Sequence, residues 1–185
     1  DPDFIQGYFY LQSLYENEKN YPDAIETGKE GLRLNQFYKE LMVSTGSLEI
    51  EHGDANEGVE LLKKALEVDN AYHEPLLILS DLFRQEEDYE AIISLLSYVD
   101  EEDLDPVFMW HLAHAYGEEE RDTEAQHFYE LAYPTMKSQS AFLSDYYFYL
   151  IEIGQKDKAK TLLNELLIID PTNETWNEEL SRLND

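Results

Sequence analysis

The residues from Met109 to Pro134 read MWHLAHAYGEEERDTEAQHFYELAYP. Met109, Leu112, Ala113 and Tyr116 recur at spacings of three and four, which puts them on one side of a helix. A polar, acidic run follows, and then Ala125 and Tyr129 open a second amphipathic stretch. The predicted unit is therefore two helices joined by a short acidic turn.

The same unit returns along the chain. The stretches YPDAIETGKEGLRLN, DANEGVELLKKALEVD, DYEAIISLLSYV, DTEAQHFYELAYP and QKDKAKTLLNELLIIDP each begin polar, show one small residue, and continue with apolar residues at helical spacing. The small residues are Ala24, Gly58, Ala91, Ala125 and Ala159, separated by 34, 33, 34 and 34. A first helix precedes each marker, carrying Tyr8, Leu11 and Tyr15, then Met42, Gly46 and Glu49, then Leu76, Leu79, Ser80 and Phe83. In the fourth unit it carries the residues above, and in the fifth Leu143, Tyr146, Tyr147 and Leu150. One residue missing between Phe83 and Ala91 accounts for the single shorter step. A fixed period of this length marks a repeat architecture, in which helix pairs bury their apolar faces against neighbours.

These residues resemble the tetratricopeptide repeat family. Its pattern runs Trp, two residues, Leu-Gly, two residues, Tyr, then Ala, three residues, Phe, and later Pro. Met109 to Tyr116 with Ala125 and Tyr129 follow it, and Pro171 after Ala159 stands where the family places its proline. The second unit departs most, with Glu49 in place of an aromatic and Gly58 in place of Ala. The resemblance implies an all-α, right-handed superhelical α-solenoid of antiparallel helix pairs. Repeats are expected at about 5–38, 39–71, 72–105, 106–139 and 140–173, with 174–185 a capping helix or the start of a further repeat. Asp1-Pro2 resembles the end of a preceding repeat, and Trp176 is placed where the family's tryptophan opens a next one. A slice of a longer array, or an array with one terminal cap, is the expectation.

Composition restricts function. With 13 basic and 41 acidic residues the formal charge is −28, which opposes contact with nucleic acid or an anionic membrane surface and favours a basic or polar partner. The 14 Tyr and 8 Phe supply a core that a disordered acidic tail lacks. No cysteine is present, so thiolate metal sites and disulfides are excluded, and a cytoplasmic setting is expected.

His111 and His114, three apart beside acidic residues, raise the possibility of a metal site, with Asp81 and Asp145 on comparable faces of the flanking repeats. The metalloprotease motif spaces its histidines four apart with a glutamate between, which this is not. No carboxylate pair stands out as an acid–base couple, and no Gly-x-Gly-x-x-Gly or nucleophile signature occurs, so neither enzyme activity nor a cofactor is expected.

The resemblance implies a concave groove lined by one side of each first helix. Its residues are expected to be Phe9 and Ser13, Val43 and Ser47, Leu77 and Asp81, Trp110 and His114, and Ser144 and Phe148, with His111 beside them. Arg84, Glu51, Glu118 and Glu152 would border it. The Lys and Asn with which some relatives clamp a carboxylate are missing from these positions. The expected partner is a protein or peptide segment, basic or apolar. The alternatives are a self-associating or spacing module and, less favoured, a metal-dependent activity at His111 and His114.

Overall fold

In the computed structural model residues 2–184 are described, and among them every regular element is helical. The chain divides into two compact units, 1–85 and 86–185. The first holds α1 (Pro2–Asn17), α2 (Tyr21–Leu34), α3 (Lys39–His52), α4 (Ala55–Val68) and α5 (His73–Gln85). The second holds α6 (Tyr89–Leu96), α7 (Pro106–Glu118), α8 (Asp122–Met136), α9 (Ser140–Glu152), α10 (Lys156–Ile169) and α11 (Glu174–Asn184). Asp1 lies outside the described residues, and Pro2 opens α1.

Helices pair as the repeat pattern requires: α1 with α2 and α3 with α4 in the first unit, α7 with α8 and α9 with α10 in the second. Short loops impose the antiparallel arrangement, and their backbone is repetitive. After α1, the Lys19 amide donates to Glu16 O at 2.9 Å and Asn20 N to Tyr15 O at 2.8 Å. After α7, Glu120 N reaches Gly117 O and Arg121 N reaches Tyr116 O; after α9, Gly154 N reaches Ile151 O and Gln155 N reaches Leu150 O. This is the Schellman end, which satisfies carbonyls the helix leaves open and needs a left-handed residue. Lys19, Glu120 and Gly154 fill that place with φ of 58°, 56° and 75°, and Glu87 before α6 has φ 57°. Asp54 and Asp88 then cap the following helices, accepting from Asn56 and Glu57 amides and from the Ala91 amide.

The crossing of paired helices depends on small residues. Ala24, Ala125 and Ala159 are fully buried, and Ser80 and Ala113 lie at the corresponding places on first helices. Ala91 is only partly buried. Between α3 and α4 the contact is backbone to backbone. A Cβ on Gly58 would lie 2.5 Å from Gly46 O, and one on Gly46 would lie 3.0 Å from Gly58 O. Between α1 and α2 the small place is taken by Gln12, fully buried, whose Nε2 donates to Thr45 Oγ1 at 3.0 Å. Gly28 makes room for it, since a Cβ there would strike both Thr45 Oγ1 and Gln12 Nε2.

Aromatic packing dominates the second unit. Tyr129 stacks on Tyr146 at 4.5 Å between centroids and on Tyr149 at 4.9 Å, with Phe142 at 6.1 Å. Burying each such ring contributes about 1.5–3 kcal/mol. In α11, Trp176 meets Tyr147 and Phe148, each at 5.9 Å, and Tyr147 donates its hydroxyl to Glu179 at 2.9 Å.

Two expectations need correction. Leu11, expected to pack, is 40% exposed: the equivalent Thr45 is buried against Gly28 of the preceding α2, and among the described residues no helix stands before α1 to cover Leu11. Trp176 lies 34 residues beyond Phe142 and 68 beyond Phe108, so it repeats those buried rings. The place equivalent to Met109 is Asn177.

Gly58→Ala is expected to lower unfolding free energy by about 1–3 kcal/mol, since the crossing has no room for a methyl. Glu120→Gly, which relieves a left-handed side chain at an exposed turn, is expected to raise it by about 0.5–1 kcal/mol. Urea unfolding midpoints check both, and a stabilised Gly58→Ala would contradict the close crossing.

Candidate functional site

The first helices of the unit 1–85 form one face. A pocket of about 290 Å³ opens there, walled by Phe9, Leu48 and Tyr72 and ringed by Glu16, Glu40, Glu51 and Glu74, with Ser44 and Ser47 between. No Lys or Arg lines it. Lys39 stands beside it: its Nζ pairs with Asp69 at 2.6 Å, sits 4.5 Å from the centroid of the Tyr72 ring and feels the charge of Glu40. That hydrogen bond holds Lys39 above its ordinary value and Asp69 below its own. Ser13 and Ser47 donate to the carbonyls of Phe9 at 3.0 Å and Val43 at 2.9 Å, one turn back on their own helices. Asp81 and Arg84 form an exposed pair at 3.2 Å, and Leu77 beside them is partly exposed.

α3 and α2 are joined by an ion pair whose acid is buried and whose lysine is partly exposed. Glu49, which stands in place of the family's aromatic, is 2% exposed. Its Oε2 accepts from the Asp54 amide at 2.7 Å, holding the turn into α4, and its Oε1 lies 2.5 Å from Lys29 Nζ. Burial disfavours the charged Lys29, but the hydrogen bonds it donates to Glu49 and Glu57 outweigh it and raise its pKa.

In the unit 86–185 the first-helix face is organised by Asp145 on α9. Its Oδ2 accepts from Trp110 Nε1 at 2.6 Å and from the Tyr129 hydroxyl at 2.7 Å, and its Oδ1 lies 3.0 Å from His114 Nδ1. Burial alone would raise the Asp145 carboxyl. The hydrogen bond and charge of His114, with the donors of Tyr129 and Trp110, outweigh it and hold the carboxyl below its ordinary 3.8. Burial and the nearby Asp145 charge push the Tyr129 hydroxyl up, so it remains a donor. The Tyr89 ring meets His114 edge-on at 5.7 Å, and Trp110 meets Phe142 edge-on at 5.9 Å. Phe148 is half exposed, Ser144 is partly exposed and Glu152 is exposed.

Two of the sequence-derived groove residues are displaced from it. Val43 is 1% exposed and His111 6% exposed, so both are core. His111 sits among Phe108 and Trp110, with ring centroids at 6.4 and 6.0 Å. The two histidines therefore serve different surroundings, and among the described residues no three His, Asp or Glu gather to hold a metal ion. Phe9 and Ser47 do meet in one pocket. Sequence reasoning missed Glu40 and Glu74, although they are 34 apart and stand three residues before Val43 and Leu77. Tyr72 precedes its helix as Tyr38 precedes α3, 34 residues earlier, a periodic signal the sequence reading did not use.

Paired helices at a 34-residue period, small residues at each crossing and a chemically distinct first-helix face define the class: the chain is a tetratricopeptide repeat protein, an α-solenoid of antiparallel helix pairs. Residues 106–173 match the model of YpiA-like, C-terminal tetratricopeptide repeats. The chain is 36% identical over 189 residues to the TPR repeat-containing protein YpiA of Bacillus subtilis (strain 168), and it spans 44% of that protein's length. Among solved structures, MamA matches with a TM-score of 0.74 at 16% identity, covering 92% of this chain and 94% of the other. YrrB, described as a TPR protein with an unusual peptide-binding site, matches with a TM-score of 0.70 at 13% identity, covering 95% and 90%. At these identities the solved structures establish the fold. Among the described residues no helix is long and apolar enough to cross a membrane.

Asp145→Asn is expected to lower stability at neutral pH by about 1–3 kcal/mol, because three buried or half-buried donors lose their charged acceptor. The carboxylate's contribution is present above its ordinary 3.8 and is lost as pH falls through its lower folded value. Unfolding midpoints of parent and variant should therefore converge below about pH 4. A constant gap down to the acid limit would show that the carboxylate charge is not what the donors need.

Proposed function

We propose that the chain is a non-catalytic interaction module of about five repeats, at 5–38, 39–71, 72–105, 106–139 and 140–173 with a terminal helix. It binds a basic, partly apolar protein segment on its first-helix faces. The observation that carries this reading is the pocket of Phe9, Tyr72 and four glutamates, which combines apolar walls with a surplus of negative charge over the one neighbouring cation, Lys39. A lysine or arginine side chain suits both parts, its stem against the rings and its head among the carboxylates. The −28 chain adds long-range attraction for such a segment.

On the second unit, Phe148 offers an exposed anchor and Trp110 a rigid one, fixed by its bond to Asp145. Immobilised aromatics contribute contact area without losing rotamer freedom on binding. Ser13 and Ser47 act as small, self-satisfied positions that leave room for the ligand backbone. A cytoplasmic home belongs to the same reading and suits a chain without cysteine.

A fluorescein-labelled amphipathic peptide with leucine and phenylalanine on one face and lysine on the other tests this by polarisation. Binding is expected to weaken about tenfold in the Glu40→Gln, Glu51→Gln double variant and to fall with added salt. Saturable binding that ignores both would contradict the acidic pocket as its seat.

A further inference from the structure

The acidic pocket of the unit 1–85 has a length and a direction. Glu40, Ser44, Ser47, Leu48 and Glu51 succeed one another on α3 at helical spacing, so they form one stripe along its axis. α1 and α5 flank that stripe: Gln12 of α1 bonds to Thr45, and α5 packs against α3. Because paired helices are antiparallel, α1, α3 and α5 run the same way. Phe9 and Glu16 of α1 make one wall, and Tyr72 and Glu74 at the start of α5 make the other.

The four carboxylates therefore fall at two ends. Glu40 and Glu74 hold the same repeat place, in the first turns of α3 and α5. Both act on the Tyr72 hydroxyl, which burial first and then Glu74 and Glu40 push above its ordinary value. Glu16 and Glu51 each stand one residue before the end of their helices, at Asn17 and His52. From Glu40 to Glu51 is eleven residues, about 16 Å of helix. Phe9, Leu48 and the two serines lie between the ends.

The ends are unequal. A helix carries partial positive charge at its start and partial negative charge at its finish. Glu40 and Glu74 are offset by that charge and by Lys39, whose ammonium feels Glu40. At Glu16 and Glu51 the helix charge adds to the carboxylates, and His52 Nε2, 3.5 Å from Glu51, opposes them only when protonated.

With this pocket as the seat of a basic segment, the geometry points to an extended partner strand carrying two lysines four residues apart and an apolar residue midway. In a strand these three side chains share a face, and four steps cover about 13 Å. The flexible lysine stems supply the remaining reach. The middle side chain rests against Phe9 and Leu48, and the serines leave room for the strand's backbone. On a helix the same two lysines are only about 6 Å apart along the axis. A helix is also about 10–12 Å wide, too broad for a pocket of about 290 Å³ drawn out over this length.

Three labelled peptides with common glycine–serine flanks decide the matter by polarisation at pH 8, above the usual histidine range. One carries Lys-Ser-Leu-Ser-Lys, one the same residues as Lys-Ser-Lys-Ser-Leu, and one is an alanine-based helix with lysines eleven apart. The first is expected to bind about five- to tenfold tighter than either of the others. Glu16→Gln with Glu51→Gln should weaken it about tenfold, and Glu40→Gln with Glu74→Gln about threefold. All four glutamates are exposed, and circular dichroism checks that the variants are folded. Replacing one peptide lysine by alanine should remove the response to one of these double variants and keep the other. Equal affinity across the series, tighter binding of the helix, or both lysines responding to the same glutamate pair would each overturn the inference. If the peptide with lysine on one face still binds in those cases, the pocket reading stands and only the spacing falls. If no lysine peptide binds, both fall.

Discussion

Two helices can approach only as closely as the smallest residues at their crossing allow. In this chain that limit recurs at Ala24, Gly58, Ala125 and Ala159, each buried against its partner helix. At Gly46 and Gly58 the approach reaches backbone contact, with room for no side chain at all. Every other feature follows from that spacing. Close pairs bring the large residues of neighbouring helices into one layer, and the short loops then require the left-handed turns at Lys19, Glu120 and Gly154.

Polar groups inside this packing fix register where apolar contacts alone would slide. Gln12 and Thr45, 33 residues apart, tie α1 to α3. Glu49 closes the turn into α4 and pairs with Lys29 of α2. Asp145 gathers donors from α7 and α8 onto α9. An unmade hydrogen bond at such places costs more than the bond contributes, so alternative registers are penalised.

The helix pairs were legible because period and small residues sit in the one-dimensional pattern. Helix faces were harder to read. Position four after Phe9 or Trp110 suggested a groove, but Val43 is buried although it holds the same repeat place as Phe9 and Trp110, and His111, one residue round the helix from Trp110, is core. Leu11 differs for another reason: its place packs on the second helix of the preceding repeat, as Thr45 does on Gly28, and among the described residues none precedes α1. The glutamates around the pocket were readable in principle, as Glu40 and Glu74 share the repeat spacing, yet in a chain with 41 acids no single one stands out. Tyr72 does share the repeat spacing with Tyr38, 34 residues before it, but both stand just outside the helices whose faces were being read. In the sequence Asp145 stands only as a candidate metal ligand with Asp81, His111 and His114, and only the fold shows that Trp110, His114 and Tyr129 converge on it.

The central claim is that recognition of a basic segment occurs on the first helices of the unit 1–85, through apolar walls surrounded by carboxylates. The most direct measurement is an amide chemical-shift titration of isotope-labelled protein with the lysine-faced peptide. The account predicts saturable shifts concentrated at Phe9, Ser44, Ser47, Leu48 and Tyr72, the residues of the acidic pocket. Shifts confined to α2 and α4, or none at peptide excess, would contradict it.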